Sequence, residues 1–229
     1  MVSLQKKISD QMNVVKENRL AVEFWKRLSH KAKSIKLKRH HYIYYVGDEV
    51  DKVYFIVDGL MMLTRLLENG REVGQVILKG FNMFGQCEIL NNTNRQHQAT
   101  AITDCQLWSV TRNDFSTVCE ESAKLSLNLA KMQSDRLQKI EKKFESFSCY
   151  DVETRLMQIL LELSQISDQR NNSNPAITPC PTHQDLAIMI ASTRETVSNI
   201  MGKLRKEKFI DFNRNELVIL DRDAWFVKC

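Results

Sequence analysis

Residues 182–204 read THQDLAIMIASTRETVSNIMGKL. Leu186, Ala187 and Ile190 recur at helical spacing, and so do Val197, Ile200, Met201 and Leu204, with Ala191, Ser192 and Thr193 between the two sets. This pattern predicts two short helices joined by a tight turn, whose apolar faces are buried only by packing on each other and on a small domain. Thr182 and Thr193 stand where N-caps belong, since a threonine hydroxyl accepts a bond from an amide that the first helical turn leaves unpaired. With the apolar side turned in, Thr193, Arg194, Glu195, Ser198 and Asn199 are left on the outward front of the second helix. These side chains match base edges in a major groove. Arginine donates twice to guanine, glutamate accepts from the cytosine amino group and asparagine pairs with adenine, each pair being worth about 1–3 kcal/mol of discrimination. Lys203, Arg205 and Lys206 follow as cations for phosphate contacts, which position without specifying. A helix pair alone also fits a solvated hairpin on a core, so the sequence around it matters.

Immediately downstream, Phe209 to Phe212 and Glu216 to Leu220 are apolar or alternating runs around Asn213, Arg214 and Asn215, which reads as a β-hairpin. A helix-turn-helix followed by a hairpin makes a winged helix, with Arg214 near the tip of the wing. Upstream, Asp151 to about Gln165 is a second amphipathic helix, and the polar stretch Ile166 to Pro181 reads as a surface loop leading into the winged helix.

The stretch ASTRETVSNIMGKLRKEKFI (residues 191–210), preceded by THQDLA and by DVETRLMQILLEL, resembles the C-terminal half of the CRP/FNR (cyclic-AMP receptor protein and fumarate-nitrate regulator) superfamily of bacterial transcription factors. The resemblance implies that Arg194 and Glu195 read bases and that Thr182, His183 and Gln184 sit against the DNA backbone. Two positions depart from the family pattern. Asn199 stands where an arginine commonly contacts a guanine, which implies a half-site altered at that base, towards adenine. Ala191 stands where glycine is usual, and a left-handed backbone there strains alanine by roughly 1 kcal/mol.

Whole-chain properties fit this frame. The 229 residues suffice for two domains, and 43% hydrophobic with 27% charged residues describes a globular protein with a proper core. Without a membrane-length apolar run or a signal-peptide core, the expected location is the cytoplasm. The net charge of +5 suits an anionic partner but does not locate it, because residues 1–40 alone hold eleven Lys or Arg against three acids. Six cysteines, at 87, 105, 119, 149, 180 and 229, include no pair closer than fourteen residues. No local metal motif forms, and buried free thiols in a reducing compartment are expected, with redox sensing as the alternative.

The first half reads as an antiparallel β-barrel or jelly roll. Six of the seven glycines lie between Gly47 and Gly85 and separate short runs rich in β-branched and aromatic residues: His41 to Val46, Val53 to Val57, Leu60 to Leu67 and Glu72 to Leu78, then His97 to Ile102 and Cys105 to Val110. Glycine placement and order resemble the superfamily's cyclic-nucleotide-binding barrel. In members that bind cyclic AMP, a glutamate follows the last glycine and an Arg-Ser pair ends the loop that cradles the phosphate. Here Gln86 follows Gly85, and His97 and Gln98 precede Ala99, with Arg95 nearby but off register. On the long helix, Ile140 and Glu141 replace the hydroxyls that meet the adenine, and Arg136 precedes them. A buried phosphate needs charge-assisted partners, so cyclic AMP in the usual mode is not expected and no cofactor is called for. Another small ligand, a redox or partner signal, or no effector at all remain as readings of this pocket. A lone histidine such as His97 is more often a hydrogen-bonded side chain than a sensor.

From Glu120 to about Phe147 no glycine or proline interrupts a stripe of Leu125, Leu129, Met132, Leu137, Ile140, Phe144 and Phe147. The resemblance implies that this helix pairs with its twin in a homodimer. Packing on its own barrel would account for only one end of the stripe. The expected architecture is therefore α+β: a sensor barrel with an N-terminal helical segment (1–119), a dimerisation helix (120–148) and a C-terminal winged helix-turn-helix (149–229). The partners are double-stranded DNA with an inverted-repeat site and, through the resemblance alone, RNA polymerase. The competing reading is a ligand- or redox-sensing module whose helix pair docks a protein. An enzyme built on Cys180 and His183 lacks an oxyanion arrangement and is not expected.

Overall fold

A computed structural model of the chain describes residues 19–70, 72–167 and 175–220. The sensor half begins with helix α1 (Arg19–Leu28) and continues through β1 (Lys33–Leu37), β2 (Tyr42–Tyr44), β3 (Lys52–Asp58), β4 (Met61–Leu66), β5 (Glu72–Leu78), β6 (Met83–Phe84), a short helix α2 (Gln86–Asn91), β7 (Gln98–Ala101) and β8 (Cys105–Thr111). Two four-stranded antiparallel sheets form, in the orders β1-β8-β3-β6 and β2-β7-β4-β5. The strands thus make a two-sheet roll; the two sheets do not join into one closed barrel, as the barrel form of the expectation would require. Asn69 and Gly70 lie in the turn of the β4–β5 hairpin, with Gly70 at φ +76 and its amide bonded to the Leu67 carbonyl.

Alternation along the strands sets what each face touches. On β3, Tyr54 and Ile56 enter the core between the sheets, whereas Val53 and Phe55 face outward and are buried under helices. That outer layer consists of α1, α3 (Arg112–Glu121) and the start of α4 (Ala123–Cys149). Trp25 of α1 stacks on Trp108 of β8 at 3.5 Å between centroids, and Phe24 stacks on Phe115 of α3. The second sheet is also covered on both faces: Met61 and Leu63 of β4 point inward, while Met62, with Ile102 beyond β7, joins the core of the C-terminal half. Among the described residues no helix is long and apolar enough to cross a membrane.

The long helix starts at Ala123 rather than Glu120. Ser122 adopts an extended conformation and accepts the Leu125 amide at its side chain, ending α3 and capping α4. The apolar stripe then divides. Leu125 and Leu129 are buried, with Met132 half-buried beside them, against the chain's own sensor half. Leu137, Ile140 and Phe144 are exposed, Phe144 at 71%, and Leu127, which the sequence reading passed over, is 56% exposed.

The C-terminal half holds α5 (Val152–Ser167), β9 (Ala176–Ile177), α6 (His183–Met189), α7 (Arg194–Lys206), β10 (Ile210–Phe212) and β11 (Leu217–Ile219), with the sheet order β10-β11-β9. The stretch read as a plain loop therefore contributes a third strand to the wing: Ile177 pairs with Leu217, a contact that two residues of sequence do not announce. Residues 1–18, 168–174 and 221–229, which include part of the basic N-terminal segment, most of that loop's polar centre and Cys229, lie outside the described residues. Cys105 and Cys180 are buried, but Cys149 at the end of α4 is exposed, contrary to the expectation of buried thiols throughout.

Between α6 and α7 the backbone at Ala191 is left-handed, at φ +53, while the Ser192 amide returns to the Ala187 carbonyl at 2.9 Å. The alanine holds the strained conformation that glycine would adopt freely. Ala191→Gly is expected to raise stability by about 0.5–1 kcal/mol, read as a higher urea midpoint with an unchanged slope; a lower midpoint would refute the strain.

Candidate nucleic-acid interface and effector pocket

The helix-turn-helix is set by two caps and one apolar seam. Thr182 accepts the Asp185 amide and Asp185 accepts the Thr182 amide, a reciprocal box at the start of α6; Thr193 accepts the Thr196 amide at the start of α7. Leu186, Ala187, Ile190, Val197, Met201 and Leu204 are all buried in the seam. This leaves Thr182, Gln184, Thr193, Arg194, Glu195 and Asn199 exposed together at the front of the pair.

Three residues assigned to DNA contact have other partners in the structure. The Nδ1 of His183 and the hydroxyl of Ser198 lie 2.7 Å apart across the two helices, so each is half-buried against the other. Burial, with the nearby Arg194 charge, pushes the His183 imidazole below its usual value, and its ring packs edge-on to Phe212 of β10. Lys203 is ion-paired with Glu153 of α5 at 2.6 Å, and neighbouring Arg205 pairs with Asp211 at 2.9 Å. A cation near phosphates was foreseen at Lys203; its acid partner, fifty residues upstream, was not. Arg214 is exposed at the wing tip, where the Asn213 carboxamide oxygen accepts the Asn215 and Glu216 amides and fixes the turn.

In the sensor half, the expected loss of charge around Gly85 is corrected by Arg95 and Glu88. Gly85 has φ +82, and a Cβ there would come within 2.5 Å of Arg95 Nη1, so the left-handed backbone and the close guanidinium both favour glycine. Arg95, judged off register from sequence, is 1% exposed. It donates from Nη1 to the Gly85 carbonyl at 3.0 Å and from Nη2 to the Lys52 carbonyl at 2.6 Å, and lies over the Tyr44 ring at 4.2 Å. Glu88 lies 3.7 Å from this guanidinium and 3.5 Å from His97 Nδ1. Burial works to raise the Glu88 pKa, but the His97 bond, its own backbone amide and the Arg95 charge outweigh it and hold the carboxyl below its ordinary value. The Arg95 guanidinium thus already serves two carbonyls with an acid beside it, while its buried Nε has no hydrogen-bond partner among the described residues.

Three of the remaining pocket residues have protein partners. Gln98 donates to Glu72 of β5 at 2.7 Å. Gln86 is fully buried, with its amide 3.4 Å from Gln133 of α4. Arg136 donates to the Met83 carbonyl at 2.8 Å, and burial lowers its pKa. Ile140 and Glu141 are exposed on α4. Cys180 is buried and its thiol pushed up by burial, which suits no nucleophile.

Comparison with known proteins divides the chain the same way. A cyclic nucleotide-binding domain model matches residues 34–122, and a Crp-like helix-turn-helix domain model matches residues 154–224. A global nitrogen regulator from Nostoc sp. is 28% identical over 184 residues, 80% of this chain and 82% of the relative. A CRP-like cAMP-activated global transcriptional regulator from Mycobacterium tuberculosis is 23% identical over 86% of this chain and 88% of its own length. The solved structure of FixK2 from Bradyrhizobium japonicum superposes with a TM-score of 0.75 at 19% identity, over 86% of this chain and 96% of that one.

Proposed function

As a member of the CRP/FNR superfamily, the chain is a DNA-binding transcription regulator and not an enzyme, and we propose that it works in the cytoplasm as a homodimer on an inverted-repeat operator, without cyclic AMP in the superfamily's usual mode. The observation that carries this reading is the front of α7. Two threonine caps and a buried seam hold Arg194, Glu195 and Asn199 outward while every apolar neighbour is turned in. Arg194 and Glu195 are assigned to base reading, Asn199 to an adenine-selective position, and Thr182, Gln184 and Arg214 to the phosphates.

The exposed remainder of the α4 stripe supports the dimer. Leu127, Leu137, Ile140 and Phe144 form the kind of apolar face that a second α4 would cover, whereas Leu125 and Leu129 serve the chain's own sensor half. A two-fold axis along α4 would present two α7 helices to successive major grooves about 34 Å apart. The Arg95–Glu88 pairing, with both Nη atoms of the guanidinium already donating to carbonyls, supports independence from cyclic AMP.

Selection of bound duplexes from random DNA tests the reading. A pseudo-palindromic motif is expected, unchanged by cyclic AMP, with binding that weakens steeply as salt rises. Enrichment of a single unpaired half-site, or no enrichment, would refute it. In the same selection Asn199→Arg is expected to move preference towards guanine at one position per half-site; an unchanged motif would remove Asn199 from the readout.

A further inference from the structure

Beside the shared apolar interior, the helix-turn-helix is gripped from the sensor half by polar side chains of one loop. The loop between β1 and β2, residues 38–41, reaches the start of α6, and Arg39 Nη2 donates to the Cys180 carbonyl at 2.8 Å while lying 3.7 Å from the Asp185 carboxylate. His40 Nδ1 lies 3.8 Å from the other oxygen of the same carboxylate. Asp185 is buried and holds the α6 capping box, so the loop touches the residue that fixes where the helix-turn-helix begins. The gripped peptide is itself tied to the wing, because the Cys180 amide donates to the Asn215 carbonyl at 2.8 Å.

The loop is braced for this contact. Asp104, in the turn between β7 and β8, accepts the Arg39 amide at 2.9 Å and the Lys38 ammonium at 2.7 Å. His40 adopts a left-handed turn conformation at φ +63, and its amide donates to the Ala101 carbonyl at 2.7 Å. Beside the grip, the two halves approach to backbone contact. A Cβ on Gly74 of β5 would lie 3.1 Å from the Ile188 carbonyl oxygen and 3.3 Å from Met189 Cα. The Arg39 contacts reach buried Asp185 and the Cys180 carbonyl, and His40 lines a cavity with Thr182, Gln184 and Arg194 at the edge of the front, while Arg194, Glu195 and Asn199 remain exposed. The gripped arrangement leaves the reading face open.

We propose that Arg39 is a positioning residue for DNA reading: from the sensor half it holds the helix-turn-helix in the orientation that presents α7 to the groove, and so sets the spacing between the two reading helices of a dimer. The proposal rests on DNA reading by α7 as argued above. A fixed orientation has value only when two heads must land together, since a single head on a single half-site turns freely to meet it.

Two measurements test it. Without DNA, dyes placed through non-natural residues at Lys36 on β1 and Lys206 on α7, in labelled chains diluted into unlabelled protein, report the distance from sensor to head. One narrow distribution is expected for the parent, a broad one for Arg39→Ala, and an intermediate one for Arg39→Lys, which keeps the charge but not the fork. Asp104→Asn, at an exposed position, weakens the brace without touching either core and is expected to broaden the distribution as well. On DNA, Arg39→Ala is expected to lower affinity for the selected two-half-site operator about tenfold. It should also accept operators whose half-sites are moved one or two base pairs apart, with affinity for an isolated half-site unchanged. Unaltered distances, unaltered operator affinity and spacing preference, tighter operator binding, or an equal loss on half-site and whole operator would each overturn the proposal. Failure of the parent to select any duplex would instead sink DNA reading itself, and would be visible before Arg39 is touched.

Discussion

Arg194→Ala is expected to lower operator affinity by about 1–3 kcal/mol at each half-site. A dimer carries the change twice, so the complete operator should weaken roughly 30-fold or more. The side chain is exposed at the first position of α7, beyond the Thr193 cap, and the substitution disturbs neither cap nor seam. Folding stability should therefore stay within about 0.5 kcal/mol of the parent. Loss of a base-reading arginine also relaxes discrimination, so selection with the variant should return a motif degenerate at one base pair per half-site. Were all duplexes, matched and mismatched, to weaken by the same factor, Arg194 would be a phosphate contact and the base assignment would be lost.

The second large effect concerns α4. Phe144→Asp places a carboxylate on the most exposed large apolar side chain of the helix, 71% accessible in the single chain. Burying one phenylalanine is worth about 1.5–3 kcal/mol, and an unpaired buried carboxylate adds a penalty of its own. The dimer dissociation constant should rise by roughly a hundredfold or more, so that sedimentation finds monomers at micromolar concentration and operator affinity falls to that of a half-site. The thermal midpoint of the monomer should not change, because Phe144 supports no core of its own chain. A companion variant, Leu129→Asp, is expected to unfold the sensor half instead, since Leu129 is packed beneath it. A Phe144→Asp chain that still sediments as a dimer would place the interface elsewhere.

What could be read from the sequence, and what could not, follows the range of the contacts. The helix-turn-helix was legible because its determinants are local. Thr182 and Asp185 cap each other three residues apart, Thr193 caps its own helix, and the seam residues recur at helical steps. Ala191 could be singled out as strained only through the resemblance, which has glycine at that left-handed turn. The pocket was misread because its arginine is positioned by a loop: Arg95 is ten residues from Gly85 in sequence, yet meets it within hydrogen-bond reach. The Lys203–Glu153 pair spans fifty residues, and β9 is two residues long and defined by its pairing with β11. The stripe on α4 was visible as a period, but which of its residues face the sensor depends on where α4 crosses the roll. Residues 19–37 were read as charge and as an N-terminal helical segment without bounds; that KSIKL alternates as a strand should, and that RLAVEFWKRL carries the aromatic residues that cover β8, was passed over.

Met62 and Ile102 share one apolar cluster with Leu186, Met189 and Val197, so the outer sheet of the sensor and the inner side of the reading head are a single interior cut by no solvent layer. The two halves are therefore not interchangeable parts. A head transplanted from a relative would meet the relief of Gly74 and Met62 with side chains shaped for a different floor, and a chimera would need its seam recut on both sides before either half could be judged on its own merits.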